Sequence, residues 1–155
     1  MNIPQNVANI IDRRIDEAMN AEQNYCNQKV RKHKEATYDK IDAIKTKPLT
    51  KAGIAIVNAA IANNDIIEQH DIMSAADKKR VIALRKKHNG YETTQWRRRD
   101  KIRKQLTKLK VAVGADLELC NSRDEQRALL AKFKTHPLDK VWIIPKKPHT
   151  QPDYE

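Results

Sequence analysis

Val7, Ile11, Ile15 and Ala18 stand three or four residues apart, the spacing that lines one face of a helix. Tyr25, Val30, Ile41 and Ile44 continue that stripe loosely, and residues 4–47 contain neither glycine nor an interior proline. Pro4 suits a first helical turn and Pro48 a stop, so the pattern predicts a helix of about 40 residues, about 60 Å long at 1.5 Å per residue. The stretch VRKHKEATYDK in its middle is nearly all polar, which leaves a break at 32–37 as the alternative. A thin apolar stripe on a long helix calls for a partner helix, from this chain or from a second copy. A homodimer through the N-terminal helix is therefore open.

Farther along, Thr50 is a natural N-cap for a segment whose Ile54, Ile56, Val57, Ala59, Ala60 and Ile61 surround the helix on nearly all sides. That all-round apolarity predicts a buried central helix, ended by Asn63, Asn64 and Asp65. Ser74, with Asp77 three residues on, opens the next helix, for which Asn89-Gly90 supplies a C-terminal stop. Thr93 or Thr94 would cap a following helix that reaches Cys120 if Gly114 is tolerated. Ser122 and Glu125 form a capping box for a last helix, closed by His136-Pro137. Val141, Trp142, Ile143 and Ile144 make a short β-prone run, after which Pro145, Pro148 and Pro152 forbid regular structure.

These elements predict an all-α chain of four to five helices, with a long N-terminal helix and an extended, proline-containing C-terminal tail. The expected divisions are a helical arm at 1–47, a helical core at 48–136 that contains a basic helix pair at 74–120, and the tail at 137–155. Three glycines in 155 residues argue against turn-rich β architectures and glycine-rich phosphate loops.

Charge sharpens the picture. The chain carries a formal net charge of +11, which draws a protein towards polyanions. Residues 78–110 alone hold fourteen basic residues against two acids, Glu92 and Asp100, so the remainder is almost neutral. At 100° per residue, Ile102, Leu106, Leu109 and Val113 share an inward face. Arg97, Lys101, Lys104 and Lys108 share a narrow arc almost opposite. Arg99, Arg103 and Lys110 flank the apolar stripe, where their stems can cover its edge. The ridge is about 16 Å long and could meet two or three phosphates of one strand. Exposed helix faces ordinarily mix signs, because Glu and Lys four apart stabilise a helix, and this face lacks the acids. The preceding basic run adds Lys78, Lys79, Arg85, Lys86 and Lys87.

Two helices around Asn89-Gly90 have the outline of a helix-turn-helix, in which Gln95 would address adenine and Arg98 guanine. Phosphate-dominated binding needs only the ridge and is the preferred expectation. Tyr91 and Trp96 could stack on unpaired bases, although a Trp in such a place is more often a core anchor.

Sites for chemistry are scarce. Histidines 33, 70, 88, 136 and 149 are scattered without ligand spacing, and no nucleotide-binding loop, zinc motif or nucleophile elbow occurs. Asp12, Asp16 and Glu17 lie among Arg13 and Arg14, as in surface ion pairing. Cys26 and Cys120 suit two reduced thiols. No signal peptide is evident, and the apolar stretch at 52–67 is too short and too polar to span a bilayer. The expectation is a cytoplasmic, non-enzymatic protein without metal or cofactor and without a membrane partner. Its partner would be DNA or structured RNA, or a nucleoprotein complex. The alternative is an adaptor or inhibitor docking on an acidic protein surface, with Val141, Trp142, Ile143 and Ile144 as apolar contacts.

Overall fold

A computed structural model describes residues 1–143, and among these the secondary structure is entirely helical. Helix α1 spans Gln5–Lys45, α2 Lys51–Ala62, α3 Ala75–Glu118 and α4 Arg123–Thr135, with a single 3-10 turn at Gln69–Ile72. Among the described residues no helix is long and apolar enough to cross a membrane. The proline-rich end of the tail, including Ile144, lies outside the described residues. The chain divides into two compact units. One is Met1–Gln23 with the chain from Arg99 onward; the other is Asn24–Arg98.

The first unit is built on the predicted stripes. Ile11 and Ile15 of α1, Leu106, Leu109, Val113 and Leu117 of α3, and Leu130 and Phe133 of α4 form its core. Val7, Ala18, Ile102 and Trp142 pack against it. Ser122 caps α4 by accepting from the Glu125 N–H at 3.2 Å, and Glu125 in turn accepts from the Asn121 N–H at 2.7 Å. Arg14 closes the other end of α4, donating to the Phe133 and His136 carbonyls, the latter at 2.8 Å. That is a different role from pairing with the neighbouring acids of α1. Gln126 is fully buried; its amide donates to the carbonyls of Asn2 and Leu117, both at 3.1 Å, and its oxygen accepts from Arg123 at 2.7 Å. Leu117 sits in the last turn of α3, where helical carbonyls lack intrahelical donors, and Gln126 supplies one.

In the second unit α1 does not break at 32–37. Its inward stripe continues at helical spacing through Cys26, Val30, His33, Thr37, Ile41 and Ile44, with polar side chains in the middle. Across from it, α3 presents Val81, Leu84, His88, Tyr91 and Gln95 at the same spacing. The apolar part of this core is Ile41, Ile44 and Val81, with Met73 and Leu84 against them. The stripe of α1 is thus occupied within the chain.

Two expectations fail here. Asn89-Gly90 is not a stop: α3 is one helix from Ala75 to Glu118, and Gly90 keeps helical backbone angles, with no glycine at positive φ. Thr93 and Thr94 are not caps; their hydroxyls donate to the Asn89 and Gly90 carbonyls one turn back, inside the helix. Nor is α2 a buried central helix. Only Gly53 and Ala60 are buried, while Ile54, Ile56 and Ile61 are exposed. Its predicted caps do hold: Thr50 accepts from the Gly53 N–H at 3.1 Å, and Asn64, at φ 54°, turns the chain away after Asn63. Gly53 is required by close approach, since a Cβ there would stand 2.9 Å from the Ile72 carbonyl oxygen of the 3-10 turn.

Candidate nucleic-acid interface

All the basic residues at 78–110 lie on α3, so a run expected to span two helices and a turn belongs to one. Helical periodicity then decides what each side chain can do. In the first unit, Lys101, Lys104 and Lys108 fall within about 60° of one another, on the side away from buried Leu106, Leu109 and Val113. All three are exposed, and none has an acidic partner within ion-pair distance among the described residues. The flanking cations are engaged instead. Arg99 and Arg103 each donate to the Gln23 side-chain oxygen at 3.2 Å, Arg99 also pairs with Asp100 at 2.9 Å, and Lys110 pairs with Asp12 at 2.9 Å. The hydrogen bond to Asp12 holds the Lys110 ammonium above its ordinary pKa. The helix therefore separates, on different faces, cations spent on structure from cations left to solvent.

In the second unit, Lys79, Lys86 and Arg97 are exposed and lie opposite Val81, Leu84 and His88. Arg85 and Lys87 are also exposed, and Lys78 is half-buried. Arg98 is half-buried with its guanidinium 4.9 Å from the Tyr25 ring centre, a cation–π contact within this unit. Gln95 is half-buried, and its carbonyl accepts from the buried Cys26 thiol at 3.1 Å. Both stand in the body of a continuous helix. The helix-turn-helix reading, which needs Gln95 and Arg98 in the first turn of a second helix, is overturned for that reason. Tyr91 stacks on His33, with centroids 4.0 Å apart and planes 9° apart, and Trp96 donates to Glu92 at 3.1 Å. Both rings are half-buried.

Sequence reading missed the histidine pair. His33 and His88 meet through their Nδ1 atoms at 2.8 Å, with rings 17° from parallel. One Nδ1 must donate and the other accept, so two fully protonated rings cannot keep this contact. His88 Nε2 faces Glu92 at 3.4 Å, and the Thr37 hydroxyl stands 3.5 Å from His33. Burial, then the positive charge of His88, Lys87 and Lys40, pulls the His33 pKa below its ordinary 6.5. The two residues are far apart in sequence, and only the shared helical spacing of the two stripes foreshadows the pair. Among the described residues no group of three or more His, Cys, Asp or Glu side chains could hold a metal ion.

Cys26 and Cys120 are both free thiols, and burial, with Glu125 and Asp116 nearby, pushes the Cys120 thiol up. At the C-terminal end Trp142 is anchored to the first unit. Its indole N–H donates to Asp116 at 2.6 Å, and its ring meets Phe133 and His136 edge-on at centroid distances of 6.1 and 5.1 Å. Val141 and Ile143 on either side are 78% and 71% exposed. Comparison of the chain with family models, with curated proteins and with solved structures finds no match.

Proposed function

We propose that this protein binds nucleic acid or a nucleoprotein complex, mainly through phosphate contacts from residues 78–110. The observation that carries the reading is the outer face of α3, where Lys101, Lys104 and Lys108 point to solvent with no acidic partner within ion-pair distance among the described residues, the nearby Asp100 being paired with Arg99. Like charges three or four apart cost a helix roughly 0.2–0.5 kcal/mol per pair, a cost that a polyanion removes. Lys79, Lys86 and Arg97 give the second unit its own phosphate-binding side chains. DNA or structured RNA would be held by backbone charge, since Gln95 and Arg98 stand in the body of a continuous helix and the Arg98 guanidinium lies over Tyr25. The test is binding of a duplex DNA and of a structured RNA by fluorescence anisotropy across a salt series. Replacing Arg97, Lys101, Lys104 and Lys108 with Ala is expected to abolish most of the affinity with the helical content intact. Unchanged binding by that variant refutes the reading.

A second reading is docking on an acidic protein surface, supported by exposed Val141 and Ile143 beside anchored Trp142. A partner that survives nuclease treatment in a pull-down, and is lost on deleting 141–155, favours it over nucleic acid.

A further inference from the structure

Residues 40–47, KIDAIKTK, and 80–87, RVIALRKK, share one pattern: a base, a β-branched residue, then alanine and an aliphatic at the third and fourth places on, and a lysine at the seventh. Ile41 and Val81 enter the core of the second unit, and the other shared positions meet on one side of the α1–α3 pair. There they line an open groove of about 460 Å³ whose floor is Ala43, Ile44, Ala83 and Leu84. The rest of its lining is Lys40, Lys47, Arg80 and Lys87, so every charged residue in it is basic. Seven residues are two helical turns, so the bases of each helix stand about 10.5 Å apart along its axis, with the apolar floor between them. Lys47 and Arg80 share Asp77, at 3.3 and 3.7 Å, which puts them at one end. Lys40 and Lys87, both close enough to His33 to act on it electrostatically, mark the other end. Neither has an acidic partner within ion-pair distance among the described residues.

We propose that this groove is a docking site for an acidic amphipathic helix of a partner protein, one with carboxylates seven residues apart and aliphatic side chains at the third and fourth places between them. Such a helix repeats the pattern of its two hosts with the charges reversed. Its carboxylates reach the bases at the two ends, and its aliphatics rest on the floor. Ala43 and Ala83 are small and exposed, so a third helix can approach closely. An extended peptide is a poor occupant, because strand recognition needs a sheet edge to satisfy the peptide backbone, and the described residues hold no strand. A helix satisfies its own backbone. A phosphate backbone, for its part, gains nothing from an apolar floor. Nor does a second copy supply the ligand. Among the described residues the only acids seven apart within one helix are Glu35 and Asp42, and these have Tyr38 and Asp39 between them.

The probe is a synthetic helical peptide of about 15 residues with Glu, Leu and Ala so placed, compared by fluorescence anisotropy on the full chain with a shuffled peptide of the same composition. The matched peptide should bind about tenfold tighter. Lys40→Glu with Lys87→Glu should weaken it about tenfold, and a peptide with Lys in place of the facing Glu residues should recover the loss. Ala83→Glu should weaken it too, by setting a carboxylate of the chain's own between Arg80 and Lys87, where its pairing with Lys87 four residues on supports the helix. Lys104→Glu with Lys108→Glu, an equal change of charge on the outer face of α3, should affect the peptide far less, which separates this site from the nucleic-acid reading. Burial, then the charges of His88, Lys87 and Lys40, hold the His33 pKa down, so pairing of the two lysines should raise it in an NMR titration of the complex. The proposal is overturned if the matched peptide binds no tighter than the shuffled one, if the two double variants weaken it alike, or if the His33 titration does not move. It is equally overturned if the groove variant loses more affinity for duplex DNA than for the peptide, which would make the groove a phosphate site.

Discussion

Gly90→Ala tests the continuity of α3 through a sign rather than a size. Gly90 sits in the body of the helix at helical backbone angles, and a Cβ built on it meets nothing within 4 Å. Alanine there removes the extra entropy that glycine loses on folding and adds no clash. The gain expected is about 0.5–1 kcal/mol. For a chain of this size that is a rise in melting temperature of about 1–4 °C, read by circular dichroism at 222 nm. If the chain turned at Asn89-Gly90 instead, glycine would hold the left-handed position after a helix, and alanine would cost about 1–2 kcal/mol. Gly53→Ala supplies the contrast, because its Cβ would stand 2.9 Å from the Ile72 carbonyl oxygen, and it should lower the melting temperature. A fall at position 90 refutes the single helix, and with it the assignment of the basic residues to faces of α3.

Other consequences follow from the two cores. His33 has a folded pKa below 6.5, so as pH falls the unfolded chain takes up its proton first. Its contribution to stability is complete above pH 6.5 and drains away as pH drops through the lower folded value, and His33→Gln should flatten that decline in urea titrations between pH 7 and 5. An equal pH dependence in wild type and variant would refute the role of the pair. Gln126→Leu removes the amide's two hydrogen bonds to the Asn2 and Leu117 carbonyls and the acceptor of Arg123, while Asn2 keeps its bond from Arg123 and Leu117 its bond from the Cys120 N–H, at a cost of about 1–3 kcal/mol by urea denaturation. A loss within a few tenths of a kcal/mol would mean that water replaces the amide.

Local signals carried much of the fold. Thr50, Ser74 and Ser122 cap as their side chains allow, with the Asp77 N–H donating to Ser74 at 3.1 Å. The face of Ile102, Leu106, Leu109 and Val113 is the inward one. The Asn89-Gly90 signal misled because glycine permits a left-handed turn without requiring one. Good helix formers on both sides can carry the roughly 1 kcal/mol cost of one interior glycine. α2 misled because periodicity shows which residues are apolar, not whether anything packs on them, and its buried side is made of Gly53 and Ala60. The middle of α1 looked like a gap because its inward residues, Cys26, His33 and Thr37, are not the aliphatics that a hydrophobic stripe is read from. The cations of 78–110 were legible as a charge excess. Which of them are committed to Gln23, Asp12 or Tyr25 was not, because those partners lie on α1, far away in sequence.

The most direct test of nucleic-acid binding is the salt dependence of affinity for a duplex DNA, compared between wild type and a Lys101→Ala, Lys104→Ala, Lys108→Ala variant. Each phosphate contact adds about 0.9 to the slope of log affinity against log salt, so three contacts contribute about 2.7. Between 50 and 200 mM salt the wild type should then lose about fortyfold more affinity than the variant. A shallow wild-type slope, or equal slopes in the two proteins, would contradict binding through the outer face of α3.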